Sequence, residues 1–133
     1  MLKLSKKVEY GLIAIRHIAS LGNQISTVKE IAERYNIPNE LLAKVMQKLA
    51  KGKVIYSYQG SLGGYTLARA ADQISIMDVI HVIEGTQPAI AECLGKIEHT
   101  CSVYDNCTIK NPLEKIQYNL EQVFSSMKVS EIV

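Results

Sequence analysis

The sequence predicts a mainly α domain with a small β-hairpin wing, a winged helix-turn-helix followed by a long C-terminal helix that pairs with a second copy. Three observations carry this. The apolar residues recur with helical period in four segments whose ends bear capping signals. Two short β-rich runs flank a glycine-rich tip directly after the third helix. Positive charge is concentrated in the half of the chain that holds these elements.

The elements follow in order. Residues 5–21 read as a helix, with Val8, Leu12, Ile15 and Ala19 at helical spacing, joined by Ile13 and Ile18, and Gly22-Asn23 as the stop. Thr27-Val28-Lys29-Glu30 fits a capping box and opens a short helix with Val28, Ile31, Ala32 and Tyr35 on one face. Asn36-Ile37-Pro38 interrupts the chain. A third helix runs to Lys51, with Leu41, Leu42, Val45, Met46 and Leu49 on its apolar face and Glu40, Lys44, Gln47, Lys48 and Lys51 opposite. Strands follow at Val54 to Tyr58 and at Tyr65 to Leu67, around the tip Gln59-Gly60-Ser61-Leu62-Gly63-Gly64. Ser75 caps another helix that ends at Gly85.

Residues 86–111 have no clear period and contain all three cysteines. Asn111-Pro112 is expected to cap and start the final helix. Along it Leu113, Ile116, Leu120, Val123 and Met127 are spaced 3, 4, 3, 4, the narrow seam of a helix that pairs with another helix. The alternative is packing on its own domain. The expected organisation is therefore residues 1–85 for DNA binding, 86–111 for a cysteine loop and 112–133 for dimerisation.

The net charge of +2 conceals an asymmetry. Residues 1–69 hold 11 Lys and Arg against 4 acids, a net +7, and residues 70–133 hold 4 Lys against 9 acids, a net −5. A basic half facing a polyanion is the reading this favours. The third helix turns a polar, basic face outward and fits a major groove. Ser26 and Thr27, at the start of the second helix, are expected to face a phosphate. The wing, from Gly60 and Ser61 through Gly63 to Tyr65, is expected to bring backbone close to DNA. A support role for the Tyr58 and Tyr65 side chains is preferred to DNA contact. No run of about 18 apolar residues exists and the N-terminus has no apolar leader, so the expectation is a cytoplasmic protein. His17, His81 and His99 are scattered and no nucleophile motif surrounds any Ser or Cys, which argues against an enzyme.

The chain resembles the IscR/NsrR/CymR-type family of bacterial winged-helix repressors across nearly its whole length. The resemblance is carried by Leu4-Ser5-Lys6, Tyr10-Gly11-Leu12, Ile31-Ala32-Glu33-Arg34, Ile37-Pro38, Leu41-Leu42 and the wing Gly60-Ser61-Leu62-Gly63-Gly64-Tyr65-Thr66-Leu67-Ala68. The clustered Cys93, Cys101 and Cys107 place it with the iron–sulfur members. Thiolates are the preferred ligands of such clusters. Zinc with His99, or metal-free thiol redox sensing, are the alternatives.

The resemblance also implies a fourth ligand and the base-reading positions. The position where two-iron members carry His is Lys110 here. The position from which an acid of nitric-oxide-sensing members reaches the other subunit's cluster is Glu9. A four-iron cluster on Cys93, Cys101, Cys107 and Glu9 is therefore preferred to a two-iron one, with His99 and Asp105 as other candidate ligands. The family's base-reading positions fall on Asn39, Glu40, Ala43 and Lys44, with Gln59 in the wing. Ala43 stands where the iron–sulfur-assembly regulator has Glu, and Gln59 where it has Arg, so a different operator is expected. Beyond the thiol sensor, the remaining rival is a small iron–sulfur electron-transfer protein. It leaves the basic helix and the wing unexplained.

Overall fold

A computed structural model describes residues 3–61, 63–85, 89–91, 94 and 101–133. Five α-helices and one hairpin, with three single-turn 3-10 helices at Ala71–Gln73, Tyr104–Asn106 and Val129–Glu131, make up the regular structure of these residues: α1 (Lys6–Ser20), α2 (Val28–Tyr35), α3 (Asn39–Lys51), β1 (Ile55–Tyr58), β2 (Gly64–Leu67), α4 (Ile76–Glu84) and α5 (Lys110–Ser126). This is the expected winged helix-turn-helix with a long last helix. Among the described residues, no helix is long and apolar enough to cross a membrane.

Three of the starts, those of α1, α2 and α4, are set by a side chain that satisfies an otherwise orphan backbone N–H. The Ser5 hydroxyl accepts from Val8 N–H. Thr27 and Glu30 close the anticipated capping box, and Ser75 closes a second one with Asp78. The α2–α3 turn needs a residue with positive φ, and Asn36 supplies it at 55°. Buried Ile37 then anchors the turn, donating to the Ala32 carbonyl at 2.9 Å. The core lies where α1, α3 and α4 meet, filled by Ile15, Ile18, Leu42, Met46, Leu49, Ile80 and Ile83, with Ile31 of α2 beside them. β1 and β2 pair antiparallel, Ile55 opposite Leu67 and Tyr58 opposite Gly64.

The C-terminal region departs from expectation twice. Helix α5 begins at Lys110, with Ile109 at its N-cap position and no side-chain cap, so Asn111 is inside the helix and does not cap it. Pro112 still falls in the first turn, where its missing N–H goes unneeded. The helix ends at Ser126, so Met127 lies at its C-terminal boundary. The chain then folds back instead of continuing as a pairing helix. Ile76 N–H donates to the Met127 carbonyl at 2.9 Å, Val129 N–H donates to the Ile74 carbonyl at 2.8 Å, and Val129 is fully buried. Arg16 Nε donates to the Ile132 carbonyl at 2.7 Å, tying this tail to α1.

Candidate nucleic-acid interface and cysteine segment

Helix α3 buries Leu42, Val45, Met46 and Leu49 and leaves Asn39, Glu40, Lys44, Gln47, Lys48 and Lys51 exposed. Ala43 is half-buried between the two faces. The lysines of α3 form no ion pair among the described residues, where the ion pairs are Lys6–Glu9 and Arg69–Asp78. A thirteen-residue helix spans about 20 Å with one cationic side, a shape and charge suited to a major groove.

The wing is tied to the helix-turn-helix by a backbone bridge. Ser26 N–H donates to the Tyr65 carbonyl at 3.0 Å and Tyr65 N–H donates to the Ser26 carbonyl at 2.8 Å. This corrects two expectations. Ser26 is 0% exposed, and its hydroxyl donates to the Glu30 carboxylate at 3.2 Å. It faces the interior, while Thr27 at the same corner is half-buried, with its N–H and hydroxyl engaged in the capping box. Tyr65 is half-buried against the core with both backbone groups engaged, so it supports the wing, as preferred for its ring.

The glycines divide by role. A Cβ on Gly64 would run into the Ile25 side chain and lie 2.8 Å from the Ser26 carbonyl oxygen, so this glycine permits the bridge itself. Gly63 is similarly pressed on the Tyr58 carbonyl. Its close approach is to its own chain, which removes the reason for placing it against DNA. Gly60, at φ +99°, has open space around it, and with Gln59 and Ser61 it forms the exposed tip. Tyr58 and Tyr56 sit edge to face on the outer side of β1, centroids 4.9 Å apart.

His17 of α1 joins Tyr35 of α2, its Nδ1 2.9 Å from the phenol oxygen. Burial pushes this imidazole below its ordinary pKa, and the Arg34 guanidinium adds to the effect against a smaller opposing pull from Glu30.

Cys101 and Cys107 are free, half-buried thiols on either side of a short helical turn at Tyr104–Asn106. Cys93 and His99 lie outside the described residues, so the full ligand set is not brought together there. Among the described residues no group of three or more His, Cys, Asp or Glu side chains is placed to hold a metal ion. Two free thiols six positions apart suit a soft-metal cluster in donor chemistry. The Lys110 ammonium sits 3.9 Å above the Tyr104 ring. Glu9 is in the first turn of α1, partly exposed, 2.9 Å from the Lys6 ammonium. The contact holds the Lys6 pKa above its ordinary value, through the hydrogen bond first and the carboxylate charge second.

Comparison with known proteins agrees with this architecture. Residues 4–133 match Rrf2, a family described as iron-dependent transcriptional regulators. A protein of Aquifex aeolicus named as an HTH-type transcriptional regulator is 34% identical over 131 residues, 97% of this chain and 90% of its own. The structure of CymR, the global cysteine regulator of B. subtilis, superposes with a TM-score of 0.76 at 25% identity, covering 99% of this chain and 96% of that one. IscR of T. potens gives 0.72 at 28% identity, covering 98% and 85%. The chain therefore belongs to the Rrf2 family of winged-helix, DNA-binding transcriptional regulators and is not an enzyme.

Proposed function

We propose that this regulator works as a homodimer whose operator affinity is set by an iron–sulfur cluster. Cys93, Cys101 and Cys107 and the partner subunit's Glu9 would hold the cluster. The observation that carries the reading is the pair of free, half-buried thiols of Cys101 and Cys107, placed on the segment that leads into α5. Such a cluster, when bound, supplies a centre whose gain, loss or damage reports iron, oxygen or nitric oxide. Lys110 supports the four-iron form, because a cation lying over Tyr104 stands where two-iron members present His. Glu9 is on the helix surface, held by Lys6, an exposed ion pair of the kind that is weak and readily exchanged.

DNA contact is assigned to Thr27, Asn39, Glu40, Lys44 and the wing tip Gln59, Gly60 and Ser61, with Ala43 as an apolar spacer. Glu40 can accept from a cytosine amine and Gln59 can pair with adenine, while Lys44 neutralises phosphate. The dimer seam is supported by exposure. Ile116 is 48%, Val123 54% and Met127 41% exposed in the single chain, while Leu113 and Leu120 are half-buried. A second copy covering this face puts two α3 helices on matching half-sites.

Anaerobic purification tests the reading. A brown protein with iron and sulfide at cluster stoichiometry is expected, with a weaker cluster in Glu9→Ala. Unchanged cluster stability in that variant removes Glu9 from the ligand set. A colourless protein favours the second reading, metal-free thiol sensing, which the likeness to CymR supports.

A further inference from the structure

The last turn of α4 touches both the helix that would read DNA and the helix that carries Glu9, and it leads directly into the cysteine segment. Four contacts define it. Lys48, on α3, donates from its ammonium to the Ile83 carbonyl at 3.2 Å. Ser5, at the head of α1, donates its hydroxyl to the Glu84 carboxylate. Val82 packs on Gly52, the C-cap of α3, so closely that a Cβ there would lie 2.6 Å from both Val82 methyls. Ile83 packs on Gly11 of α1 in the same manner. The turn then ends at Gly85, in the left-handed conformation at φ 76°, with its N–H on the His81 carbonyl at 2.8 Å.

We infer that the last turn of α4 is the lever between the cysteine segment and α3, and that Lys48 is the residue that positions α3 on it. Sequence alone puts Lys48 with the DNA-facing lysines. The structure commits its ammonium to Ile83 instead. A carbonyl in the last turn of a helix is an orphan acceptor at the negative end of the helix dipole, and a cation is its natural partner. Tightly packed contacts have few intermediate positions. A displacement of the last turn of α4 therefore moves α3 through Gly52 and Lys48, and moves α1 through Gly11 and Ser5. The inference rests on the cluster reading for the origin of the movement, and on the four contacts for its path.

The test is operator affinity of the cluster-loaded and the chelated protein, measured on wild type, Lys48→Met and Lys48→Arg across a salt series. Typical couplings between sites run from roughly five- to 150-fold. In Lys48→Met the ratio between the two forms is expected to fall at least roughly fivefold. Its salt slope should stay at the wild-type value, since no phosphate contact is lost, and Lys48→Arg should restore the ratio. Hydrogen exchange at the Gly85 amide in the chelated protein gives a second reading and should be faster in Lys48→Met. A salt slope lowered by about one per subunit, with the ratio unchanged, would show Lys48 to be a phosphate contact and overturn the inference. Equal weakening of both forms overturns it as well, because that is a loss of fold or docking alone. A wild type with no difference between the two forms is separable from these outcomes, since it defeats the cluster reading and leaves the lever nothing to transmit.

Discussion

Replacing Gly64 by Ala tests how the wing is held. The new Cβ would lie 2.8 Å from the Ser26 carbonyl oxygen and 3.0 Å from the Ser26 carbonyl carbon, and would also meet the Ile25 side chain. Ile25 can rotate, but the backbone of Ser26 cannot yield without opening the bridge to Tyr65. That bridge contains two hydrogen bonds, at 3.0 and 2.8 Å. Each contributes about 1 kcal/mol net, and positive φ at a residue with a Cβ costs about 1 kcal/mol more. The expected loss is about 3 kcal/mol, a substantial share of the 5–15 kcal/mol typical of a domain. For a chain of this size it corresponds to a melting temperature lower by about 10 °C. Urea titration followed by circular dichroism measures the loss, and operator binding reports whether the wing is still presented. Gly60→Ala is the control. It has the positive φ but open space, so about 1 kcal/mol is expected. Equal stability of the two variants would refute the view that close approach to Ser26 fixes this glycine.

Three further outcomes follow from the same geometry. Lys44→Ala should lower the salt slope of operator binding by about one per subunit and weaken binding to all sequences alike; an unchanged slope removes it from the phosphate contacts. Ile116→Asp with Val123→Asp should give a folded monomer in sedimentation, because both side chains are exposed in the single chain; a persistent dimer would place the interface elsewhere. The lowered pKa of His17 means that the unfolded chain binds more protons than the folded one as pH falls below the ordinary value of 6.5. Stability should therefore be complete above that value and decline as pH falls through the folded pKa. His17→Gln should show a shallower decline, and an identical pH profile would mean that this imidazole does not report its folded environment.

Local chemistry accounts for what was legible in the sequence. The box of Thr27 and Glu30, the Ser75 cap, the apolar stripe of α3 and the stop at Gly85 are all short-range signals, and each stands where its residues put it. The failures at Ser26, Gly64 and the C-terminal tail involve contacts distant in sequence, and those at Gly63 and Asn111 are local. Ser26 looks like a free hydroxyl until Tyr65, 39 positions on, pairs with its backbone. Gly63 and Gly64 look like a DNA-approaching wing, yet the chain they approach is their own. Asn111 and Pro112 carry the right helix-start chemistry, but α5 begins two residues earlier than they predict. The C-terminal tail gave no periodic signal, because Val129 docks on Ile74 through backbone bonds. The basic face of α3 was visible as a pattern, but that pattern could not separate Lys48, turned onto α4, from Lys44. The cysteines were visible by clustering alone, and Cys93 lies outside the described residues.

In the proposed regulator DNA binding is the output and the cysteine segment the input. The most direct measurement is the affinity of one anaerobic preparation for its operator before and after chelation, with iron content followed in parallel. Affinity is expected to change by roughly fivefold or more as iron is lost, and Cys101→Ser to lock the protein in the chelated value. Identical affinity for the iron-loaded and iron-free protein would contradict this reading.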